Sequence, residues 1–293
     1  MSKDHLILAT NFDPEKFPVD FFPVALTEKL DGIAGRFTYT AALDKVINQT
    51  RQNETLYSVG HIEHWLLHKL PVQRELVGEL YIRGLSFKET GGIIRREVGD
   101  GRIHLHIYDY VLHDNPEATY EQRMEACIKE IGQYMTDPTR PVWFMPTAIV
   151  HNMEGILVAI QALRKENPKA EGLMIRPIHH EVSKYRVGRS KGFIRWKPKP
   201  TIALRIHSYI EATNLKTGAG LGMVGRINLH YKGGIIGCGP GRMTHDERRE
   251  AWLNQGLDEG RMCEVQYMQD DDYDALRQPT WQRWRDDKET PDA

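Results

Sequence analysis

The sequence predicts an α+β chain in two domains, and three observations carry that prediction. Residues Ile103–Leu112 alternate apolar and polar side chains in a strand pattern, while Tyr120–Tyr134 places Met124, Cys127, Ile128 and Ile131 on one helical face. Strands and helices therefore mix through the first two thirds of the chain. After the stiff spacer Pro198-Lys199-Pro200 the composition changes to short strands and many glycines. A domain boundary is expected there, giving domains of 1–198 and 199–293.

Taken in order, the apolar run Phe21–Leu26 and the stretch up to Tyr39 read as two short strands around a turn at Lys29-Leu30-Asp31-Gly32. Asn53–Ser58 ends as a short strand. His61–Leu70 is a short helix stopped by Pro71. Leu76–Leu85 is a strand, and Gly91–Glu97 follows a Gly-Gly break. Val142–Met145 is a strand and Met153–Lys165 a helix, followed by a loop at Asn167–Ala170. Gly172–Arg176 and Gly192–Lys197 are strands flanking a polar, basic loop. Beyond the spacer, Ile202–Ile210, Gly222–Tyr231, Gly234–Gly239 and Met262–Met268 are strands, with a helical insert at His245–Asn254. Short strands with glycine turns suit a small barrel of the oligonucleotide-binding (OB) type.

Composition excludes several classes. Of 293 residues, 40% are hydrophobic and 27% charged, the balance of an ordinary globular protein. A net charge of -1 gives no global attraction to nucleic acid, although a local basic face survives such averaging. No apolar run reaches the ~20 residues of a membrane span, and no signal peptide opens the chain at Met1-Ser2-Lys3-Asp4-His5. The three cysteines, Cys127, Cys238 and Cys263, form no Cys-x-x-Cys pair, so neither structural zinc nor a disulfide framework is expected. The expected setting is a reducing cytoplasm.

Lys29 is the residue on which a chemical reading turns. An amine at the end of an apolar strand becomes a nucleophile when desolvation or neighbouring cations lower its pKa. Read alone, Lys-x-Asp-Gly is a solvated lysine at a turn. The motifs downstream of Lys29 give it a chemical setting: Val77-Gly78-Glu79-Leu80, His106-Ile107-Tyr108-Asp109, Glu171-Gly172-Leu173-Met174-Ile175-Arg176, Arg195-Trp196-Lys197 and Arg285-Asp286-Asp287-Lys288, in that order.

From about Val24 to Lys288 the chain resembles the covalent nucleotidyltransferase superfamily, and most of all the compact two-domain ATP-dependent DNA ligases of phages and viruses. The resemblance implies an adenylation domain of ATP-grasp-like antiparallel sheets with helices, followed by an OB-fold barrel. It implies that Lys29 attacks the α-phosphate of ATP and carries AMP, with Glu28 beside it in the nucleotide site. Glu79 would hold the ribose, and Tyr108 would stack on the adenine. Glu171, with Glu79, would serve Mg²⁺ (or Mn²⁺). Arg195 and Lys197 would hold the α-phosphate, where the family pattern has Lys-x-Lys. Arg285 and Lys288 would orient the pyrophosphate. Arg36, Lys184, Arg186, Arg189 and Lys191 are candidates for contacts to nicked duplex DNA.

Two departures concern DNA contacts. Ala34 stands where DNA ligases usually carry an arginine, with Arg36 two residues on. Ser58-Val59-Gly60 stands where the pattern has Ser-Arg before a glycine. RNA ligases often lack the first arginine, so an RNA ligase is the alternative enzyme. A capping guanylyltransferase shares the first and last motifs. A nick-binding protein that has lost catalysis is the alternative from another class. With about 28 residues before Lys29, an NAD⁺-dependent ligase is not expected. A monomer is the expected state.

Overall fold

The computed structural model describes residues 5–167, 170–268 and 276–293, and only the backbone of Met268. Met1–Asp4 of the amino-terminal reading, and Pro168 and Lys169 of the expected loop, lie outside the described residues. The chain divides into two compact units, Met1–Lys197 and Pro198–Ala293.

The first unit is built on two five-stranded sheets. The first sheet contains β1 (Ile7–Asn11), β2 (Val24–Glu28), β8 (Thr147–Val150), β9 (Leu173–Pro177) and β10 (Gly188–Trp196), in the order β1-β10-β9-β2-β8. β1 runs parallel to β10, and the other pairs are antiparallel. Helix α4 (Met153–Glu166) covers one face, packing Ile156 and Ile160 against Val24, Leu26, Ile175 and Ile194.

The second sheet contains β3 (Ile33–Thr40), β4 (Lys45–Thr50), β5 (Arg74–Tyr81), β6 (His104–Leu112) and β7 (Val142–Phe144), in the order β4-β3-β5-β6-β7. Its core face is closed by α1 (Gly60–Leu66), α2 (Phe87–Ile94) and α3 (Tyr120–Ile131), through Ile62, Leu66, Ile94, Cys127 and Ile131. The alternation in β6 decides what each face does. Leu105 and Ile107 are fully buried in that core, so His104, His106 and Tyr108 point to the opposite face.

Several local expectations are corrected. β2 and β3 do not form a hairpin; they belong to different sheets, and Lys29–Gly32 is the crossover between them. Asn53–Ser58 forms no strand. Gly91 and Gly92 lie inside α2, which starts earlier because Ser86 and Glu89 form a reciprocal capping box that satisfies its first donors. The basic stretch is not all loop: Arg189 and Lys191 are in β10.

A buried charge cluster ties the second sheet to α3 and β9. Asp109 is fully buried and receives Arg123 Nε at 2.8 Å and Nη2 at 3.0 Å, with Arg176 Nη2 at 2.8 Å. Arg123 also donates to the carbonyls of Ala118 and Ser183. Burial pushes the Asp109 carboxyl up, but the two guanidiniums outweigh it and hold the group below its ordinary value. Arg176 lies 4.3 Å from the Phe193 ring centre and donates to the Tyr108 carbonyl at 2.7 Å.

In the second unit the sheet order is β13-β12-β11-β14-β15, from β11 (Thr201–Thr213), β12 (Gly220–Tyr231), β13 (Gly234–Cys238), β14 (Met262–Met268) and β15 (Arg277–Trp284). A parallel bridge between Gly239 and Thr280 joins the β13 and β15 edges. Helix α5 (His245–Leu253) connects β13 to β14 and starts on a Thr244–Glu247 capping box. Leu204, Ile227, Leu229, Val265 and Trp281 form the core.

The charge cluster gives a stability test. Arg123→Ala leaves a buried carboxylate short of its bidentate partner and is expected to cost about 3–5 kcal/mol, measured by urea denaturation. A loss below about 1 kcal/mol would show that the cluster does not hold the unit together.

Candidate active site

The geometry around Lys29 follows from the crossover. β2 ends at Glu28 in the first sheet, and after four intervening residues β3 begins at Ile33 in the second. The crossover is held at both ends. Lys29 N–H donates to the Gly172 carbonyl at 2.8 Å. Gly32 packs so closely on β5 that a Cβ there would lie 2.2 Å from the Leu80 oxygen. Gly172 is constrained too: its φ is +147°, and a Cβ would lie 1.9 Å from the Trp196 oxygen. The glycines of the Asp-Gly and Glu-Gly motifs are thus places where backbone meets backbone.

This packing brings three charged side chains together. Lys29 Nζ donates to Glu171 Oε2 at 2.5 Å, and Lys197 Nζ forms an ion pair with Glu171 Oε1. Glu171 therefore offers one oxygen to each lysine. The Lys29 side chain remains 21% exposed, so a substrate can reach it. Glu79 stands on β5 opposite Ala34. Burial pushes its carboxyl up to about 7; Lys29 pulls it down, while the charges of Glu171 and Asp31 push it further up.

A cleft of about 430 Å³ opens here, lined by Lys29, Glu79, Tyr108, Met174, Phe193 and Arg195 among others. That volume suits a small-molecule site. Tyr108 and Phe193 stack with centroids 5.7 Å apart and planes 25° apart. Residues Leu6–Ala9, entering and forming β1, make up another part of the wall.

The sequence-derived candidates separate clearly. Glu28, Lys29, Glu79, Tyr108, Arg189 and Arg195 line the cleft; Glu171 joins it through Lys29, and Lys197 through Glu171. Glu28 accepts from Asn167 Nδ2 at 3.3 Å, and Arg195 donates to Asn11 Oδ1 at 2.9 Å. Arg189 donates to the Ala9 carbonyl. Arg36 is not among the lining residues; it bonds Gln49, Asn53 and Glu75. Lys184 and Arg186 are both paired with Glu117, and Lys191 is exposed on β10. Of the five candidate DNA contacts, Arg36, Lys184 and Arg186 are thus engaged with protein carboxylates. In the second unit, Arg285 pairs with Asp287 and Glu264, and Lys288 with Asp292.

Two further arginines line the cleft: Arg95, which closes α2 and ends the ligase-like stretch Gly91-Gly92-Ile93-Ile94-Arg95, and Arg51, just after β4. Arg51 escaped the sequence reading because it stands in no distinctive pattern; an arginine after a strand is ordinary in a sequence. Among the described residues, no group of three or more His, Cys, Asp or Glu is placed to hold a metal. No helix among them is long and apolar enough to cross a membrane.

No protein-family model matches the chain, and no curated protein matches it. Its fold, however, is that of the ATP-dependent DNA ligases. The structure named Pmar-Lig_PreS3 superposes with a TM-score of 0.70 at 19% identity, covering 96% of this chain and 67% of that one. A Lig E DNA ligase gives 0.65 at 18% identity, covering 96% and 99%. The ATP-dependent DNA ligase of bacteriophage T7, in complex with ATP, gives 0.56 at 18%, covering 96% and 98%. At these identities the likeness is one of fold.

The Glu79 environment predicts a pH-dependent stability. Its carboxyl is raised in the folded chain, so the fold loses stability as pH rises from about 4.5, the ordinary value, through about 7. Glu79→Gln is expected to be more stable than the parent at pH 8 by up to about 3 kcal/mol, the size of that shift. The two should converge below pH 4.5. Urea denaturation across this range measures it; a constant difference would contradict the assignment.

Proposed function

We propose that this protein is an ATP-dependent DNA ligase that seals 5′-phosphate/3′-hydroxyl nicks in duplex DNA, in replication and repair. The observation that carries the reading is the crossover lysine. Lys29 meets Glu171 at 2.5 Å in a cleft that also presents Glu79 and the Tyr108 ring. A nucleophilic amine, a ribose-binding carboxylate and a flat ring for a base are the parts that lysine adenylation needs.

In the first step Lys29 Nζ, having passed a proton to Glu171 across their hydrogen bond, attacks the α-phosphorus of ATP, and pyrophosphate leaves. A phosphoramidate to AMP is formed. Glu171 is already within hydrogen-bond reach of that nitrogen and orients it. Lys197 and Arg195 stabilise charge on the α-phosphate. Glu79 accepts from the ribose, and Tyr108 stacks on the adenine. Arg285 and Lys288, in the second unit, are the residues that the resemblance assigns to pyrophosphate. In the second step AMP passes to the 5′-phosphate of the nick and Lys29 is released. In the third the 3′-hydroxyl attacks that phosphate, and AMP leaves.

The resemblance implies Mg²⁺; no three acidic side chains among the described residues stand together to cage a metal, but a hard cation that keeps its water and binds phosphate needs only one or two carboxylates. Glu171 and Glu79 would hold it, and it would neutralise phosphate charge. In this reading the first unit is the adenylation domain and the second an OB-fold. The second assignment is supported by its five strands, with a helix after the third and a parallel bridge joining the two edges. The chain works as a monomer on nicked duplex DNA in the cytoplasm.

One observation favours an RNA ligase as a second reading. Ala34 lacks the usual arginine, and Arg36 is committed to Gln49, Asn53 and Glu75.

Intact mass spectrometry after incubation with ATP and Mg²⁺ tests the proposal. A gain of one AMP, absent in Lys29→Ala and discharged as nicked DNA is sealed, is the expected result. Discharge only onto RNA would establish the second reading, and labelling from GTP a capping enzyme. No adduct, in protein first stripped by pyrophosphate, would leave a nick-binding protein.

A further inference from the structure

The hydrogen bonds of Arg36 give this residue a different role from a nucleic-acid contact. Its Nη2 donates to Gln49 Oε1 at 2.6 Å and to Asn53 Oδ1 at 2.6 Å, and Nη1 approaches Glu75 Oε2 at 3.5 Å. Gln49 lies in β4, and Asn53 lies in the turn after that strand. Glu75 is buried on β5, where Thr38 also donates to it. One guanidinium therefore joins β3, β4, β5 and the turn.

The turn itself is tight. Asn53 N–H donates to the Thr50 carbonyl at 2.9 Å, and Thr50 N–H to the Glu54 carbonyl at 2.8 Å. Asn53 sits in the left-handed region with φ of 69°. Thr50, Arg51, Gln52 and Glu54 all line the cleft that holds Lys29. Arg51 is exposed, and its position depends on how the turn lies on β4.

We infer that Arg36 is a positioning residue: through Gln49 and Asn53 it holds the Thr50–Glu54 turn against the cleft and so fixes where Arg51 meets a substrate phosphate. The fork geometry of a guanidinium suits this task, since two acceptors on separate segments lock each other in place. The phosphate belongs either to the triphosphate of ATP or to a polynucleotide backbone. This second point rests on the ligase reading; the anchoring of the turn does not.

Two variants cut the link without stranding buried Glu75: Gln49→Leu, and Asn53→Gly, which also suits the left-handed backbone. Asn53→Asp keeps an acceptor for Arg36 and serves as the rescue. Hydrogen exchange is the first readout. The Thr50 and Asn53 amides should exchange at least about tenfold faster in the two cut variants, with core amides of β5 and β6 unchanged. Asn53→Asp should match the parent. Equal exchange in all four proteins overturns the inference, as does a general loss of protection.

Kinetics is the second readout. A rise in KM of about tenfold, with kcat held, is expected for one substrate. A rise for nicked duplex DNA assigns the phosphate to the polynucleotide; a rise for ATP in adduct formation assigns it to the nucleotide. Combining Gln49→Leu with Arg51→Ala should do no more harm than Arg51→Ala alone. An unchanged KM for both substrates, or additive losses in the double variant, would refute positioning through Arg51. A parent chain that forms no adduct would sink the ligase reading, while the exchange data would still decide whether Arg36 anchors the turn.

Discussion

The four-residue passage from β2 to β3 is the constraint on which the first unit depends. Two sheets must come close enough for one short linker to span them, and the linker has no space to spare. Gly32 sits against the Leu80 carbonyl, and Lys29 is held by the carbonyl of Gly172. Because the backbone is pinned on both sides, the lysine side chain emerges at one place, between the sheets. A nucleophile gains from such preorganisation, since orientation need not be acquired at the moment of reaction.

Charge is arranged around that fixed point in a way that leaves little idle. Glu171 balances two lysines with two oxygens, and Glu79 is held in surroundings that resist its ionisation. Behind the cleft, Arg123 and Arg176 share the buried Asp109 carboxylate. That cluster reaches the cleft wall through the Arg176 contacts with the Tyr108 carbonyl and the Phe193 ring. Structural and site-forming charges thus meet along one line of packed side chains.

The sequence shows what is local and periodic. β6 is legible from its alternation, α3 and α4 from their apolar spacing, and the change after Lys197 from its glycines. The start of α2 is open to view in Ser86-x-x-Glu89, although the glycines after it mask the helix. Partnership between distant segments is not legible. A strand, a turn and a strand look alike whether they form a hairpin or cross between sheets, so the true path of Lys29–Gly32 needs coordinates. β1 shows no alternation in burial, and two of the three buried positions of β4, Asn48 and Thr50, are polar, so neither strand shows an apolar pattern, and the turn bearing Arg51 is hidden with them. Arg36 illustrates the same limit: its spacing from Ala34 says which way a side chain points, but not that Gln49 and Asn53 wait for it.

The pairing of β1 with β10 bears on how the protein comes to be. Ala9 aligns with Ser190, so one wall of the cleft joins residues from opposite ends of the first unit. During synthesis the strand that emerges first has no partner until nearly all of that unit has left the ribosome. Closing so long a loop is slow and comes with little local reward along the way. The cleft is accordingly a late product of folding, and a nascent chain cut short before β10 would hold its lysine without the pocket around it.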